Sequence, residues 1–169
     1  MTSQQSPPLS DEALDAWRSF LRSHATITRA LDADLIAAHG LSLSDYEVLL
    51  LLAQAPERQL RMVRLAEQVL LTRSGITRLV TRLEDQGLVE RVCCPSDRRG
   101  FNARLTDAGH DRLREAAKTH LAGIGRLFVE PLGNRLQTLA TGLERLPGTS
   151  APATACAPDL APSATGERT

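Results

Sequence analysis

Cysteine is scarce in this sequence. The three present, Cys93, Cys94 and Cys156, are odd in number and two of them are adjacent, a pattern that spells neither a disulfide framework nor a metal site. Long apolar runs are missing too: none approaches the roughly 20 residues that cross a bilayer. The opening MTSQQSPPLSDEALDAW has neither the basic start nor the apolar stretch of a secretory signal, so a cytoplasmic location with no membrane partner is expected. The four histidines, His24, His39, His110 and His120, show no metal-ligand spacing, no glycine-rich phosphate loop is present, and no Ser, His and acid trio stands in a motif. The chain therefore reads as a non-enzyme without a metal or other cofactor.

Lysine is nearly absent as well, Lys118 being the only one among 20 basic residues. Arginine, which replaces it, suits phosphate and base edges better. The formal net charge is zero but unevenly divided: residues 1–57 carry three arginines against eight acids, and residues 58–104 carry ten against five. What is there is also apolar enough to fold. A chain of 169 residues, 42% apolar and 24% charged, fits one globular domain, or two small units sharing a core.

Residues 1–9 and 147–169 are rich in Pro, Ser, Thr and Ala without an apolar period, and read as disordered tails around a folded part at 10–146. Ser10 before Asp11 and Glu12 is a helix start, and Leu14, Trp17, Leu21, Ile27, Leu31 and Leu35 recur at helical spacing until His39-Gly40. Ser42 and Ser44, each three residues before an acid, give two overlapping capping boxes ahead of YEVLLLLAQ, which Pro56 ends. A strand residue or two at Leu60-Arg61 precedes a short third helix reaching Val69, and a tight turn at Leu70-Leu71-Thr72 leads to a fourth, TRSGITRLVTRLEDQGL. LVERVC and FNARL are strand-like runs about the loop CPSDRRG, a hairpin. Thr106-Asp107 opens a fifth helix to about Glu130, Pro131 interrupts, and LGNRLQTLATGLERL makes a sixth. The expected fold is mainly α, about six helices with a two-stranded β-wing, in which the middle elements form a winged helix-turn-helix.

Two surfaces of that middle part carry the functional signal. On the fourth helix Ile76, Leu79, Val80 and Leu83 make one apolar stripe, and the opposite side holds Ser74, Thr77, Arg78, Thr81 and Asp85. An ordinary solvated face is laced with Glu and Lys pairs. Short donors around a long cation suit a DNA groove instead. At the hairpin tip stands PSDRRGFNARLT, two arginines between an aspartate and a glycine; an arginine on a protruding loop fits the narrow, electronegative minor groove. Asp97 is placed to cap the turn or to orient an arginine.

The stretch LTRSGITRLVTRLEDQGLVERVCCPSDRRGFNARLTDAGH closely resembles the signature region of the multiple antibiotic resistance regulator (MarR) family. GLSLSDYEVLLLLAQAP resembles that family's second helix, and the match in order and spacing runs over about 11–146. Its most specific piece is the recognition helix joined to D-R-R and L-T-x-A-G. The resemblance implies a homodimeric winged-helix transcription regulator on a pseudo-palindromic double-stranded operator, usually a repressor released by a small aromatic or lipophilic ligand or by oxidation. It implies DNA contacts at Arg73, Ser74, Thr77, Arg78, Thr81, Arg82, Asp97, Arg98 and Arg99, with Arg99 entering the minor groove and Asp97 orienting it. Residues 10–40 and 106–146 are then the dimerisation helices, and 41–105 the DNA-binding unit. Apolar residues of the end helices, among them Leu14, Trp17, Leu21, Leu121, Phe128, Leu139 and Leu143, exceed what one small domain needs.

For an effector, Trp17, Leu21, His24, Tyr46, Glu47 and Leu50 are the candidate lining. A urate-responsive branch of the family pairs a first-helix Trp with a second-helix acid, as Trp17 and Glu47 would. The peroxide-sensing branch carries its reactive cysteine near the first helix, where residues 1–57 have none. The alternative is a redox response through Cys93 and Cys94 at the base of the wing.

Overall fold

The computed structural model describes residues 9–69, 71–94 and 97–147, and the side chains of all these except 94–100. Helix α1 spans Asp11–His39; Ser10 caps it, its hydroxyl oxygen accepting from the Ala13 N–H at 3.2 Å, and Gly40 closes it in the left-handed conformation. Only Leu31 and Leu35 of α1 are buried, so its C-terminal third joins the core and its N-terminal half is largely exposed. Helix α2, Leu43–Gln54, begins with a complete capping box between Ser42 and Asp45. The second box anticipated at Ser44 is not formed: Ser42 is the N-cap, which leaves Ser44 inside the helix. Tyr46, Val48, Leu49 and Leu52 make α2 the central helix of the core.

After Pro56, Glu57 and Arg58 both take a left-handed backbone and turn the chain into β1, Gln59–Arg61. Helices α3 (Met62–Gln68) and α4 (Arg73–Asp85) follow, then β2 (Val89–Cys94) and β3 (Asp97–Leu105). The sheet is antiparallel in the order β1-β3-β2, with Leu60 opposite Ala103 and Arg91 opposite the same Ala103 from the other side. The two-stranded wing expected from the sequence thus gains a third strand at its base. Its tip also differs: CPSDRRG is not a loop throughout, because pairing continues to Cys94 and Asp97 after a register shift beyond Cys93. The turn expected at Leu70-Leu71-Thr72 begins on a residue outside the described ones.

Helix α4 ends by a Schellman arrangement: the Leu88 N–H bonds the Leu83 carbonyl at 2.9 Å and the Gly87 N–H bonds that of Glu84 at 2.8 Å, with Gly87 at φ 71°. Helix α5, Asp107–Ile124, starts at Thr106, whose oxygen accepts from the Gly109 N–H (3.0 Å) and whose hydroxyl donates to the Gly87 carbonyl (2.8 Å). One threonine therefore joins the stop of α4 to the start of α5. Gly109 sits so close to that junction that a Cβ would run into the Leu88 carbonyl.

The fifth helix does not continue to Glu130 as expected. It ends at Ile124 and passes through a π-helical turn at Gly125–Val129, a single turn α6 (Glu130–Leu132) and a 3-10 turn before α7, Leu136–Leu143. Pro131 is the cause: it has no N–H for the carbonyl four residues back and its ring would strike that carbonyl in a regular helix, so the chain widens. Packing holds α1 against α5, where a Cβ on Gly123 would meet Leu31 and where His39 Nε2 lies 2.8 Å from the Thr119 hydroxyl. Arg126 pairs with Asp34 at 2.7 Å along the same seam.

His120 lies buried in the core with its ring centroid 4.5 Å from that of Tyr46. Burial pushes its pKa below the ordinary 6.5, and burial also lowers that of His110. The unfolded chain therefore takes up protons first as pH falls, and stability present above about pH 6.5 is lost below it. Urea titrations from pH 7.5 downward should show the unfolding free energy falling, by at most about 1.4 kcal/mol per pH unit for each histidine. His120→Phe should flatten that slope and leave the His110 share; an unchanged slope would contradict a neutral, buried His120.

Candidate nucleic-acid interface

Helices α3 and α4 form a helix-turn-helix. Thr72 caps α4, its Oγ1 accepting from the Gly75 N–H at 3.1 Å. Ile76, Leu79, Val80 and Leu83 are buried, and this locks the rotation of α4 about its axis. Opposite them, Arg73, Ser74, Thr77 and Arg78 are exposed on one open face. The Thr77 hydroxyl donates to the Arg73 carbonyl at 2.7 Å, and the residue stays exposed. Among the described residues no hydrogen bond or ion pair engages the guanidinium of Arg73 or Arg78.

Two of the expected contacts, Thr81 and Arg82, already have partners within the chain. The Thr81 hydroxyl donates to the Thr77 carbonyl and accepts from Arg91 Nη2 on β2 at 2.5 Å. Arg91 Nε also lies 3.5 Å from Glu84 Oε2, so this arginine braces the wing against α4. Arg82 reaches across to α2, where its Nη2 is 2.5 Å from Asp45 Oδ1. Neither Arg91 nor Asp45 was legible as a partner, since the pairs are 10 and 37 residues apart in sequence and no local spacing signals them. The side chains of Asp97, Arg98, Arg99 and Cys94 lie outside the described ones; their backbone belongs to β3 and β2.

The helix starts give an electrostatic signature. Helices α1, α2 and α5 carry Asp or Glu in their first turns, where negative charge complements the helix dipole, whereas α3, α4 and the C-terminal α7 carry none. Arg61 stands at the N-cap of α3 and Arg73 opens α4. A cation at the start of α4 costs stability, and that positive helix end suits an anion such as a phosphate.

The six candidate effector residues are not brought together. Tyr46 is buried beside His120, Leu50 packs against the core, and Glu47 faces outward on α2, where lost hydration raises its carboxyl pKa. Trp17 and Leu21 are exposed. His24 alone lines a cavity, an apolar cleft of about 520 Å³ between α1 and the C-terminal segment, with Phe20, Ile27, Leu127, Phe128 and Leu139. Trp17, Phe20 and His24 stack in sequence along α1, with centroids 5.9 and 6.5 Å apart. Phe20 was missed although it lies on the same helical face. Cys93 is an exposed free thiol on β2. Among the described residues no group of three His, Cys, Asp or Glu is placed to hold a metal ion.

A helix-turn-helix with a sheet-based wing and an open, basic second helix defines a winged-helix DNA-binding protein. The chain belongs to the MarR family of transcription regulators. The MarR family model matches residues 39–100. The fold is similar to that of AbsC, a MarR family transcriptional regulator from Streptomyces coelicolor, with 34% identity and a TM-score of 0.73 over 82% of this chain and 94% of that one. It is similar also to Sco3205 from the same organism, solved in complex with DNA, at 33% identity and a TM-score of 0.71 over 84% and 94%. The HTH-type transcriptional repressor YetL of Bacillus subtilis (strain 168) is 29% identical over 115 residues, 62% of this chain and 69% of that protein.

Since Arg73 opposes the dipole of α4, Arg73→Glu should raise the stability of the free protein by about 0.3–1 kcal/mol while weakening DNA binding. Thermal melts and anisotropy titrations on one duplex check both. A variant that is less stable, or that binds as well as the parent, would contradict the reading of this helix start.

Proposed function

We propose that this protein is a homodimeric repressor in which α4 of each copy enters a major groove of a pseudo-palindromic operator and Arg99 of each wing anchors in the adjacent minor groove. The observation that carries the proposal is the open face of α4, where Arg73 and Arg78 have no partner among the described residues and the first turn has no acid. Such a face loses stability in the free protein and gains it only against an anion. Arg73, Ser74, Thr77 and Arg78 are the contacts assigned to bases and phosphates of the major groove. Support also comes from the relatives: Sco3205 was solved with DNA and YetL is named a repressor.

Dimerisation is supported by the ends of the chain. Trp17 (57% exposed), Phe20, Leu21, Leu121 and Val129 leave apolar surface in water on α1, α5 and the turn after it, and Phe20 also lines the cleft between α1 and the C-terminal segment. Patches of this kind mark an interface. A second copy that interlocks its own α1 and α7 here covers them and sets the two recognition helices on one two-fold axis, with half-sites about one helical turn, roughly 10 bp, apart. In the same reading a small aromatic or lipophilic molecule that enters this seam beside Phe20 and His24 shifts one copy against the other and releases the operator. Oxidation is the second reading, favoured by the exposed thiol of Cys93 at the base of the wing.

The wing arginine gives the test. Arg99→Ala should cost about 1–3 kcal/mol of operator binding and lower the salt dependence by about one charge, without a change in melting temperature. Asp97→Ala should cost less, and the double variant no more than Arg99→Ala alone. Undiminished binding by Arg99→Ala, or a loss explained by unfolding, would contradict the anchor. Light scattering at micromolar concentration should report two chains; a monomer with full operator affinity would contradict the dimer.

A further inference from the structure

We infer that Asp45 and Arg82 are a positioning pair for DNA reading: the carboxylate that caps α2 also fixes the angle at which α4 is presented. The inference rests on the DNA-binding function proposed above, and it makes Arg82 a positioning residue instead of a contact. Asp45 is 2% exposed. Its Oδ2 accepts from the Ser42 N–H at 2.9 Å and from the Ser42 hydroxyl at 2.7 Å, and its Oδ1 is left for Arg82. A carboxylate this deep must be compensated, and the cap supplies partners for only one oxygen. The cap alone would not require the arginine of another helix.

The pair also closes a continuous polar path. Asp32 Oδ1 of α1 accepts from the Leu43 N–H at 2.7 Å, Ser42 and Asp45 form the box next to it, and Asp45 holds α4 through Arg82. Apolar packing of the α4 stripe fixes how deep the helix lies but tolerates small tilts, whereas a charge-assisted hydrogen bond is directional. The anchor acts near the C-terminal end of α4, so a small tilt there is carried to Arg78 in the middle of the helix and to Arg73 at its start. Arg91 braces the same end from β2, so this end of α4 is tied to α2 through Arg82 and to the sheet through Arg91.

The two roles open to Arg82 predict opposite effects at Asp45. Were Arg82 a phosphate contact, Asp45 would merely compete for it, and Asp45→Asn would free the arginine and tighten DNA binding. As a positioning pair, Asp45→Asn weakens specific binding even though it makes the protein more positive.

The full-length protein is used to select a duplex from a randomised pool. The parent, Asp45→Asn, Arg82→Gln, the double variant, Arg82→Lys and Ser42→Ala are then titrated on that duplex and on a scrambled one at several salt concentrations. Asp45→Asn and Arg82→Gln should each lower the ratio of specific to non-specific affinity on the order of ten-fold, and the double variant no further. The salt slope should stay unchanged, and Arg82→Lys should restore part of the ratio. Ser42→Ala, which removes cap partners and keeps the pair, should lower the melting temperature and leave the ratio alone. Tighter specific binding by Asp45→Asn, or a salt slope lowered by about one charge in Arg82→Gln, overturns the proposal. Arg82→Gln, altered at a half-exposed side chain, keeps the test decisive should Asp45→Asn fail to fold. Amide hydrogen exchange over 76–85 in the free protein needs no DNA: Arg82→Gln should speed it more than Ser42→Ala does, and equal rates overturn the pair. A parent that selects no duplex would refute the DNA-reading function, leaving the exchange result to decide the pair.

Discussion

The molecule's outward chemistry depends on how one helix is buried. Ile76, Leu79, Val80 and Leu83 of α4 are at most 5% exposed, and a fully buried residue of this type stabilises by about 1.5–3 kcal/mol relative to an exposed one. With that stripe inward, helical geometry sends Ser74, Thr77 and Arg78 outward together. The ends of α4 are equally determined, by the Thr72 cap and by the left-handed Gly87, and Thr106 passes the second constraint on to α5. Burial fixes depth and rotation; the arginine braces from Asp45 and β2 fix tilt.

Features that depend on near neighbours in sequence were legible. Ser10, Ser42 and Thr106 cap helices as the acids that follow them announced, Gly40 ends α1, and the apolar stripe of α4 is buried residue for residue. Features set by distant partners were not. Thr81 and Arg82 sit on the same helix as the residues that stay open, and only the folded chain brings Arg91 and Asp45 to them. Within one chain Tyr46, Glu47 and Leu50 lie apart from Trp17, a placement that was not legible for a different reason. Helix α2 is apolar on nearly all sides, so its periodicity does not say which side meets α1 and which meets α5. The widened turn at Gly125–Val129 follows from a proline six residues beyond its start, an effect weaker in the sequence pattern than the apolar period running through it.

Stability and function pull apart at two places in this chain. At the starts of α3 and α4 the acids that help α1, α2 and α5 are absent, and arginine stands at the positive end of each dipole. Along α1 and the C-terminal segment, Trp17, Phe20, Leu21, Leu121 and Val129 are exposed where a self-sufficient monomer would carry polar residues. In the proposed function each departure is offset by a partner of matching chemistry, phosphate in the first case and a second copy in the second. The two are linked, since a dimer is what gives two short recognition helices a common axis and a longer operator to read.

The central claim is that two copies read one duplex through α4, and hydroxyl-radical footprinting on a duplex selected by the parent protein tests it most directly. The account predicts protection confined to one face of the duplex, symmetric about its centre, with the outermost protected sugars in the minor groove where the wings lie and lost selectively in Arg99→Ala. A single asymmetric patch, or protection that wraps all faces equally and does not respond to Arg99, would contradict it.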